Sequence, residues 1–298
     1  MELDLLEENQ IFGANKLSIF DKYGTQAAIT DFSILLGNYV SLDYHISEEN
    51  NLKNRTGWWW TKTDKNVNTK YFVTTNGDRE WDYIYTRNNG VRPVLPYYSI
   101  DKIILNKERG SDGILEVKYG EYPQDIVDEN YSRKLERAYY NENLKVTGKN
   151  YTTDSVNASD RSRKFSEKKH IEYEYNGKKY IRFVSDDNFY GKVLSDGSKI
   201  KKGYIYWIKV EPITWLVDED KDIAITKKII VAGIQFNNKI NYTGDFENTD
   251  MYKFMNTYLV KDMFDNVFIN KEKDASKEFV SIDNKIKILR RRIDDIRK

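Results

Sequence analysis

Two Asn-Gly pairs, each set between runs of β-forming residues, constrain the fold of this chain more than any other feature. Asn76-Gly77 lies within residues 71–85, and Asn176-Gly177 lies within residues 171–184. Such a pair accepts the positive φ angles of a type I′ turn, which joins two antiparallel strands by the shortest connection. A third hairpin is predicted over residues 203–231. The sequence therefore predicts an α+β protein made mainly of twisted antiparallel sheet.

Helical periodicity is confined to short segments. Residues 250–259 carry apolar side chains at helical spacing, and Asn248, Thr249 and Asp250 suit the cap and the positive end of the helix dipole. A shorter helix is predicted from Thr30-Asp31 through Leu36, with a stop at Gly37. The polar stretch 150–169 has no apolar period, so we expect a long loop there.

The C-terminal tail has a different pattern, in which apolar residues follow one another at alternating steps of three and four. These residues are Phe279, Ile282, Ile286, Leu289, Ile293 and Ile296. An a/d seam of this kind predicts an amphipathic helix that packs on its own domain or associates with a second copy. A basic helix for nucleic acid, indicated by Arg290 to Arg292, is a third interpretation. We expect self-association through Ile282, Ile286, Leu289, Ile293 and Ile296.

Charge and composition exclude several classes of protein. Among 298 residues, 48 Lys and Arg oppose 47 Asp and Glu, a net charge of +1, which makes nucleic acid an unlikely main partner. Aromatic residues reach 14%, enough to build a folded core. No apolar run is long enough for a membrane helix and no signal pattern opens the chain, so we expect no membrane partner and a place in the cytoplasm or in a phage particle. The many Lys, Asn, Ile and Tyr residues favour an AT-rich bacterial or phage genome.

No catalytic or metal-binding motif stands out, so no cofactor, metal or catalytic residue is predicted. The chain has no cysteine, and its two histidines, His45 and His170, are interpreted as incidental surface residues. Asp218, Asp220 and Asp222 alternate like calcium ligands, but isoleucine stands where the calcium loop needs glycine and glutamate. That stretch is therefore interpreted as a solvated hairpin tip.

Three consecutive tryptophans, Trp58 to Trp60, admit two interpretations. Side chains alternate in a strand, so Trp58 and Trp60 face one side and Trp59 the other. The run is either a core strand or a platform on which a ligand stacks. If a binding surface exists, we expect it near Trp58, Trp60, Trp81 and Tyr83, with Arg92 as a polar anchor.

The order GWWWTKT (57–63), an Asn-Gly hairpin and GVRPVL (90–95) resembles the closing section of a bacterial C-type-lectin-like fold. That fold is shared by relatives of formylglycine-generating enzymes and by a domain family of unknown function in Firmicutes and their phages. Thr61-Lys62-Thr63 stands where the family has Arg-Ser, and residues 27–37 resemble the element before its tryptophan strand.

Residues 114–268 resemble the opening section of the same family. ILEVKYGEYPQ (114–124) and VEPITWLV (210–217) are similar to two of its strands, 223–231 to a third and 246–264 to its helix. The resemblance implies a closing section at 1–106, a linker at 107–113, an opening section at 114–270 and a C-terminal helix at 271–298. The inverted order means either a circular permutation of one domain or two diverged modules in tandem.

The resemblance implies no activity for this chain. Formylglycine-generating enzymes use cysteines, and calcium-dependent lectins use Glu-Pro-Asn or Gln-Pro-Asp, whereas Ile213 follows Glu211-Pro212 here. We therefore expect a non-enzymatic recognition or assembly module of bacterial or phage origin that binds a protein or a glycan. The alternative is a carbohydrate-acting hydrolase that uses a pair of carboxylates. The chain has 47 acidic residues, so the sequence alone does not identify which two would form that pair.

Overall fold

The computed structural model describes residues 1–40, 55–101, 107–110, 113–155, 165–186, 192–238 and 244–264. The predicted tail helix with its apolar seam and His45 lie outside the described residues.

The strands form a large antiparallel sheet and two smaller sheets. In chain order they are β1 (Ala28–Ile29), β2 (Trp59–Asn66), β3 (Thr69–Val73), β4 (Arg79–Tyr83), β5 (Val94–Pro96), β6 (Lys107–Arg109), β7 (Leu115–Ile126), β8 (Lys145–Asp154), β9 (Glu167–Tyr175), β10 (Lys178–Val184), β11 (Ile205–Asp218), β12 (Ile223–Thr226) and β13 (Lys228–Ile229). In the described part of the chain the large sheet has the order β5-β12-β11-β10-β9-β8, with β7 paired to β11 and β6 to β7. Strands β2, β3 and β4 form a separate three-stranded sheet, and β1 pairs with β13 in parallel.

The helices are mostly short. They are α1 (Asn9–Phe12), α2 (Ser18–Tyr23), α3 (Asp31–Leu35), α4 (Tyr98–Asp101), α5 (Glu129–Tyr140) and α6 (Asp250–Phe254). A 3₁₀ turn, Phe246–Asn248, precedes α6, and a π-helical turn, Met255–Leu259, continues it to residue 264. No helix among the described residues is both long and apolar enough to cross a membrane.

All three predicted hairpins are confirmed, and with them the α+β class and the predominance of antiparallel sheet. In the β9–β10 hairpin Asn176 has a φ of 51° and Gly177 a φ of 72°, the left-handed pair that a type I′ turn needs. In the β3–β4 hairpin Tyr71 pairs with Trp81 and Thr69 with Tyr83. Of its Asn-Gly pair only Gly77 has a positive φ, 86°, so this turn is not of type I′.

Both predicted helices are present, and each begins at a threonine cap. The Thr30 hydroxyl accepts a hydrogen bond from the Ser33 amide, 3.2 Å away, and Gly37 follows α3 with a φ of 102°. The Thr249 hydroxyl accepts one from the Tyr252 amide at 3.1 Å. Helix α5, which we did not predict, begins at an Asp128 cap on the Tyr131 amide, 2.9 Å away.

The prediction of a long loop over residues 150–169 is wrong at both ends of that range, whereas residues 156–164 lie outside the described residues. Strand β8 runs to Asp154 and β9 begins at Glu167, and the two pair in register, for example Thr152 with Lys169. This hairpin carried no apolar signal because several of its buried residues are polar, namely Thr152 and Thr153 of β8 and His170 of β9. In the predicted linker, residues 107–109 form β6, which pairs with β7.

The two sections that the resemblance distinguishes contribute to one sheet and one core. Leu95 of β5, in the first section, pairs with Ala224 of β12, in the second. Trp60 of the first section packs edge-to-face on Phe236 of the second, with ring centroids 5.6 Å apart. Most of the buried apolar residues of both sections belong to one cluster, and Leu135, Tyr180 and Trp207 form a second, smaller cluster.

Candidate functional site

Trp59 and Trp60 are core residues. Both are fully buried in β2, on opposite sides of the strand, where Trp59 stacks on Phe20 and Trp60 packs against Phe236. Trp58, just before the strand, is half-buried and stacks on Tyr39 with ring centroids 3.9 Å apart. The tryptophan run was interpreted either as a core strand or as a platform for a ligand. For Trp59 and Trp60 the first interpretation is the one that the structure supports.

Two glycines allow the tryptophan strand to lie directly against its neighbours. The Gly90 amide donates to the Trp58 carbonyl at 2.8 Å, and the Trp60 amide donates to the Gly90 carbonyl at 3.0 Å. A Cβ on Gly90 would lie 2.2 Å from the Ile229 side chain, and one on Gly57 would lie 2.7 Å from that of Ile29. A side chain at position 90 would therefore collide with Ile229, whereas one at position 57 would have to displace the end of the Ile29 side chain.

Arg92 is a buried cation inside the core and not a surface anchor. Its exposed fraction is 2%, and its guanidinium carbon lies 5.1 Å from the centroid of the Trp59 ring and 5.8 Å from that of Phe20. Nε donates to the Thr226 carbonyl at 2.8 Å, whereas Nη1 has no hydrogen-bond partner among the described residues. Burial lowers the pKa of Arg92 to about 9, because desolvation disfavours the charged form.

The β3–β4 hairpin presents aromatic side chains to solvent. Trp81 is 42% exposed and Tyr83 is 44% exposed. The Trp81 and Tyr83 rings meet edge-to-face at 6.1 Å, and Tyr83 stacks on Tyr85 at 5.1 Å. Tyr71, the cross-strand partner of Trp81, is half-buried beside them. We call Tyr71, Trp81, Tyr83 and Tyr85 the outer aromatic face.

Two cationic side chains lie close to rings of the outer aromatic face. The Lys65 ammonium nitrogen lies 3.7 Å from the centroid of the Trp81 ring, and the Arg79 guanidinium carbon lies 5.2 Å from that of Tyr71. Arg79 also pairs with Glu8, and that hydrogen bond raises the pKa of Arg79. Exposed cation–π contacts of this kind contribute roughly 0.5–1 kcal/mol each.

The opposite face of the same sheet is anchored in the body of the protein. Phe72 is buried against Trp60, and Lys70 is buried with its ammonium nitrogen 4.5 Å from the centroid of the Phe236 ring. The same nitrogen donates to the Lys62 carbonyl at 2.6 Å and pairs with Asp64 at 2.7 Å. Burial lowers the pKa of Lys70, partly offset by Asp64. The outer aromatic face is therefore held on a sheet whose other side is fixed.

The structure brings together two of the five residues predicted for a binding surface. Trp81 and Tyr83 adjoin each other at the surface, whereas Trp60 and Arg92 are buried and Trp58 is covered by Tyr39. Tyr71, Tyr85 and Lys65 were missed. The signal that could have found the two tyrosines is the run of aromatics at odd positions of the hairpin, since odd positions share one face of a strand.

The interpretation of His170 as a surface residue is wrong. Its side chain is buried, with an exposed fraction of 4%, between the rings of Phe32 and Phe183. Nε2 lies 2.8 Å from the Thr153 hydroxyl. Burial lowers the pKa of His170 to about 3, so the ring is neutral at physiological pH.

The acidic tip of the third hairpin forms hydrogen bonds with two other segments of the chain. Asp218, predicted to be solvated, is buried and accepts from the Ser18 amide at 2.7 Å, and Asp222 accepts from the Tyr98 amide at 2.8 Å. Among the residues that the structure describes, no three His, Asp or Glu side chains lie together as metal ligands would.

Comparison of the chain with protein-family models, with curated proteins and with solved structures gave no match in any of the three searches.

Proposed function

We propose that the chain is a non-enzymatic recognition module that binds a protein partner through the outer aromatic face. The observation that supports this most is the exposure of Trp81 and Tyr83 side by side on a rigidly anchored sheet. Trp, Tyr and Arg are enriched at the centres of protein interfaces, because they bury a large area while few rotatable bonds are fixed.

The ring geometry favours a protein over a glycan. A sugar chain stacks best on open, coplanar rings, but the planes of Trp81 and Tyr83 meet at 83°. One side of the Trp81 ring is also occupied by Lys65. The outer aromatic face thus offers ring edges, ring faces and a cation close together, and side chains of different shapes on a protein partner can contact all three. We expect the partner to bring a carboxylate to Lys65, where it adds a charge pair to the aromatic contact.

The C-type-lectin-like fold remains part of this proposal, as one permuted domain. Support comes from β5 of the GVRP segment, which pairs with β12, and from β11 of the VEPITWLV segment, which pairs with β12 and β7. Strand pairing across the two sections is expected of one domain, whereas tandem modules would each pair within themselves.

Self-association through Ile282, Ile286, Leu289, Ile293 and Ile296 is also a proposal, since these residues lie outside the described ones. Light scattering on the full chain and on a chain that ends at Lys273 tests it. An oligomer that becomes a monomer on truncation supports the proposal, and two monomers overturn it.

A paired screen tests the recognition function. A displayed peptide library and a glycan array are probed with the parent protein, with Trp81→Ala and with Tyr83→Ala. The matched control is Tyr98→Ala, because Tyr98 is 69% exposed on α4, outside the outer aromatic face. Acidic peptides that lose binding to Trp81→Ala and Tyr83→Ala but keep it to Tyr98→Ala support the proposal. Glycan binding that depends on Trp81 would replace it with a lectin function, and sugar release abolished by one carboxylate substitution would replace it with a hydrolase.

A further inference from the structure

A second surface feature lies between α5 and the turn of the β9–β10 hairpin. It is a depression of about 300 Å³, and none of the outer aromatic face residues lines it. Its lining includes Ala138 and Tyr131 of α5 and Tyr175 at the end of β9. The rings of Tyr131 and Tyr175 meet at an angle of 66°, with centroids 6.4 Å apart. The volume matches the lower end of small-molecule sites.

The charged residues that line this depression are all positive. Lys134 and Arg137 line it, and no acidic residue does so among the described residues. Neither cation forms an ion pair with another described residue. Their neighbours on the same helix are paired, since Arg133 bonds to Glu129 and Glu136 bonds to Arg182. Lys134 and Arg137 are therefore left to the solvent or to a ligand.

The negative end of the α5 dipole does not cancel this charge. The last carbonyls of the helix already accept hydrogen bonds, from the Asn141 amide to Arg137, from Glu142 to Tyr139 and from Asn143 to Ala138. An anion beside Lys134 and Arg137 thus meets two full positive charges, which outweigh the roughly half negative charge at the end of the helix.

The remaining lining residues are amides suited to hydroxyl groups. Asn141, Asn143 and Asn176 also line the depression, and the side-chain amide of asparagine offers both donors and an acceptor. Asn176 is held in the type I′ turn with a φ of 51°, so its position is set before any ligand arrives.

We propose that this depression binds a monosaccharide that carries an acid group, either a carboxylate or a phosphate. The guanidinium fork of Arg137 and the ammonium of Lys134 take the acid group. The tyrosine rings take the apolar face of the sugar, and the three amides take its hydroxyls. The charge, the amides, the rings and the volume together fit this class of ligand, and the site is independent of the proposed protein partner.

Titration by NMR chemical shifts tests the site with three probes: glucuronate, glucose 6-phosphate and uncharged glucose. We expect at least one acidic sugar to bind about tenfold or more tightly than glucose, with shifts centred on α5 and residues 175–176. The stronger of the two acidic sugars identifies the acid group. Equal affinity for glucose and both acidic sugars, or no binding of any of them, would overturn the proposal.

Single substitutions on α5 provide the control. Arg137→Gln and Lys134→Gln should each weaken binding of the acidic sugar about tenfold. Arg133→Gln removes the same charge from the same helix but outside the depression, and it should change affinity less than about twofold. Comparable losses in all three variants would mean that only the general charge of α5 matters, which contradicts a specific site.

Discussion

Lys65 lies over the exposed ring of Trp81, with its ammonium nitrogen 3.7 Å from the ring centroid. The two residues come from β2 and β4, which flank β3 in the three-stranded sheet. The same strand β2 begins with the buried Trp59 and Trp60. One small sheet thus carries core tryptophans on one outer strand and a solvent-facing tryptophan on the other.

Trp60→Ala should lower the free energy of unfolding much more than Trp81→Ala, because Trp60 is a core residue and Trp81 a surface residue. Trp60→Ala removes a fully buried ring beside Phe236 and should lower the free energy of unfolding by roughly 3–5 kcal/mol. Trp81→Ala loses an exposed cation–π contact and a cross-strand pair, about 1 kcal/mol in total. Urea denaturation followed by circular dichroism measures both. Similar losses in the two variants would mean that Trp81 is a packing residue.

Arg92 should be replaceable by a residue of similar shape without charge. Arg92→Met keeps the contacts with Trp59 and Phe20 and removes a buried cation, so the free energy of unfolding should change by less than about 1 kcal/mol. Arg92→Ala leaves a cavity and should cost roughly 2–4 kcal/mol. The same denaturation experiment compares the two. A loss on Arg92→Met as large as that on Arg92→Ala would show that the charge itself stabilises the fold.

His170 should make the protein sensitive to mild acid. Its pKa is lowered to about 3 in the folded protein, whereas the unfolded chain has the ordinary value near 6.5. The unfolded state therefore binds a proton that the folded state does not, and stability falls as the pH decreases from about 6.5 towards 3. Between pH 7.5 and pH 5 this one group should remove about 2 kcal/mol.

His170→Gln isolates that effect, because glutamine does not titrate and can still bond to Thr153. His45, the other histidine, is present in both proteins and cancels in the comparison. The free energy of unfolding of the variant should fall less between pH 7.5 and pH 5 than that of the parent. Parallel curves for the two proteins would show that His170 does not titrate on unfolding as we expect.

Local sequence signals were enough to predict the hairpins and two helices. Asn76-Gly77, Asn176-Gly177, Thr30 and Thr249 act through their own backbone geometry or the next turn, so their effects can be deduced without the rest of the fold. The α+β class follows from those elements.

The environments of single residues could not be predicted in the same way. His170 and Arg92 are polar residues buried by segments distant in sequence, by Phe32 and Phe20 respectively. A strand alternates its side chains, but only the tertiary packing decides which face is covered. Trp60 is buried and Trp81 is exposed for the same reason, although the sequence alone placed both in one predicted binding surface.

The affinity of a selected acidic peptide for the parent protein and for Trp81→Ala tests most directly whether the outer aromatic face is a binding surface. We predict that Trp81→Ala weakens binding about tenfold or more in a calorimetric titration, with the melting temperature nearly unchanged. Tyr98→Ala should bind like the parent. Parent-like affinity in Trp81→Ala, with the fold intact, would contradict the proposed role of this face.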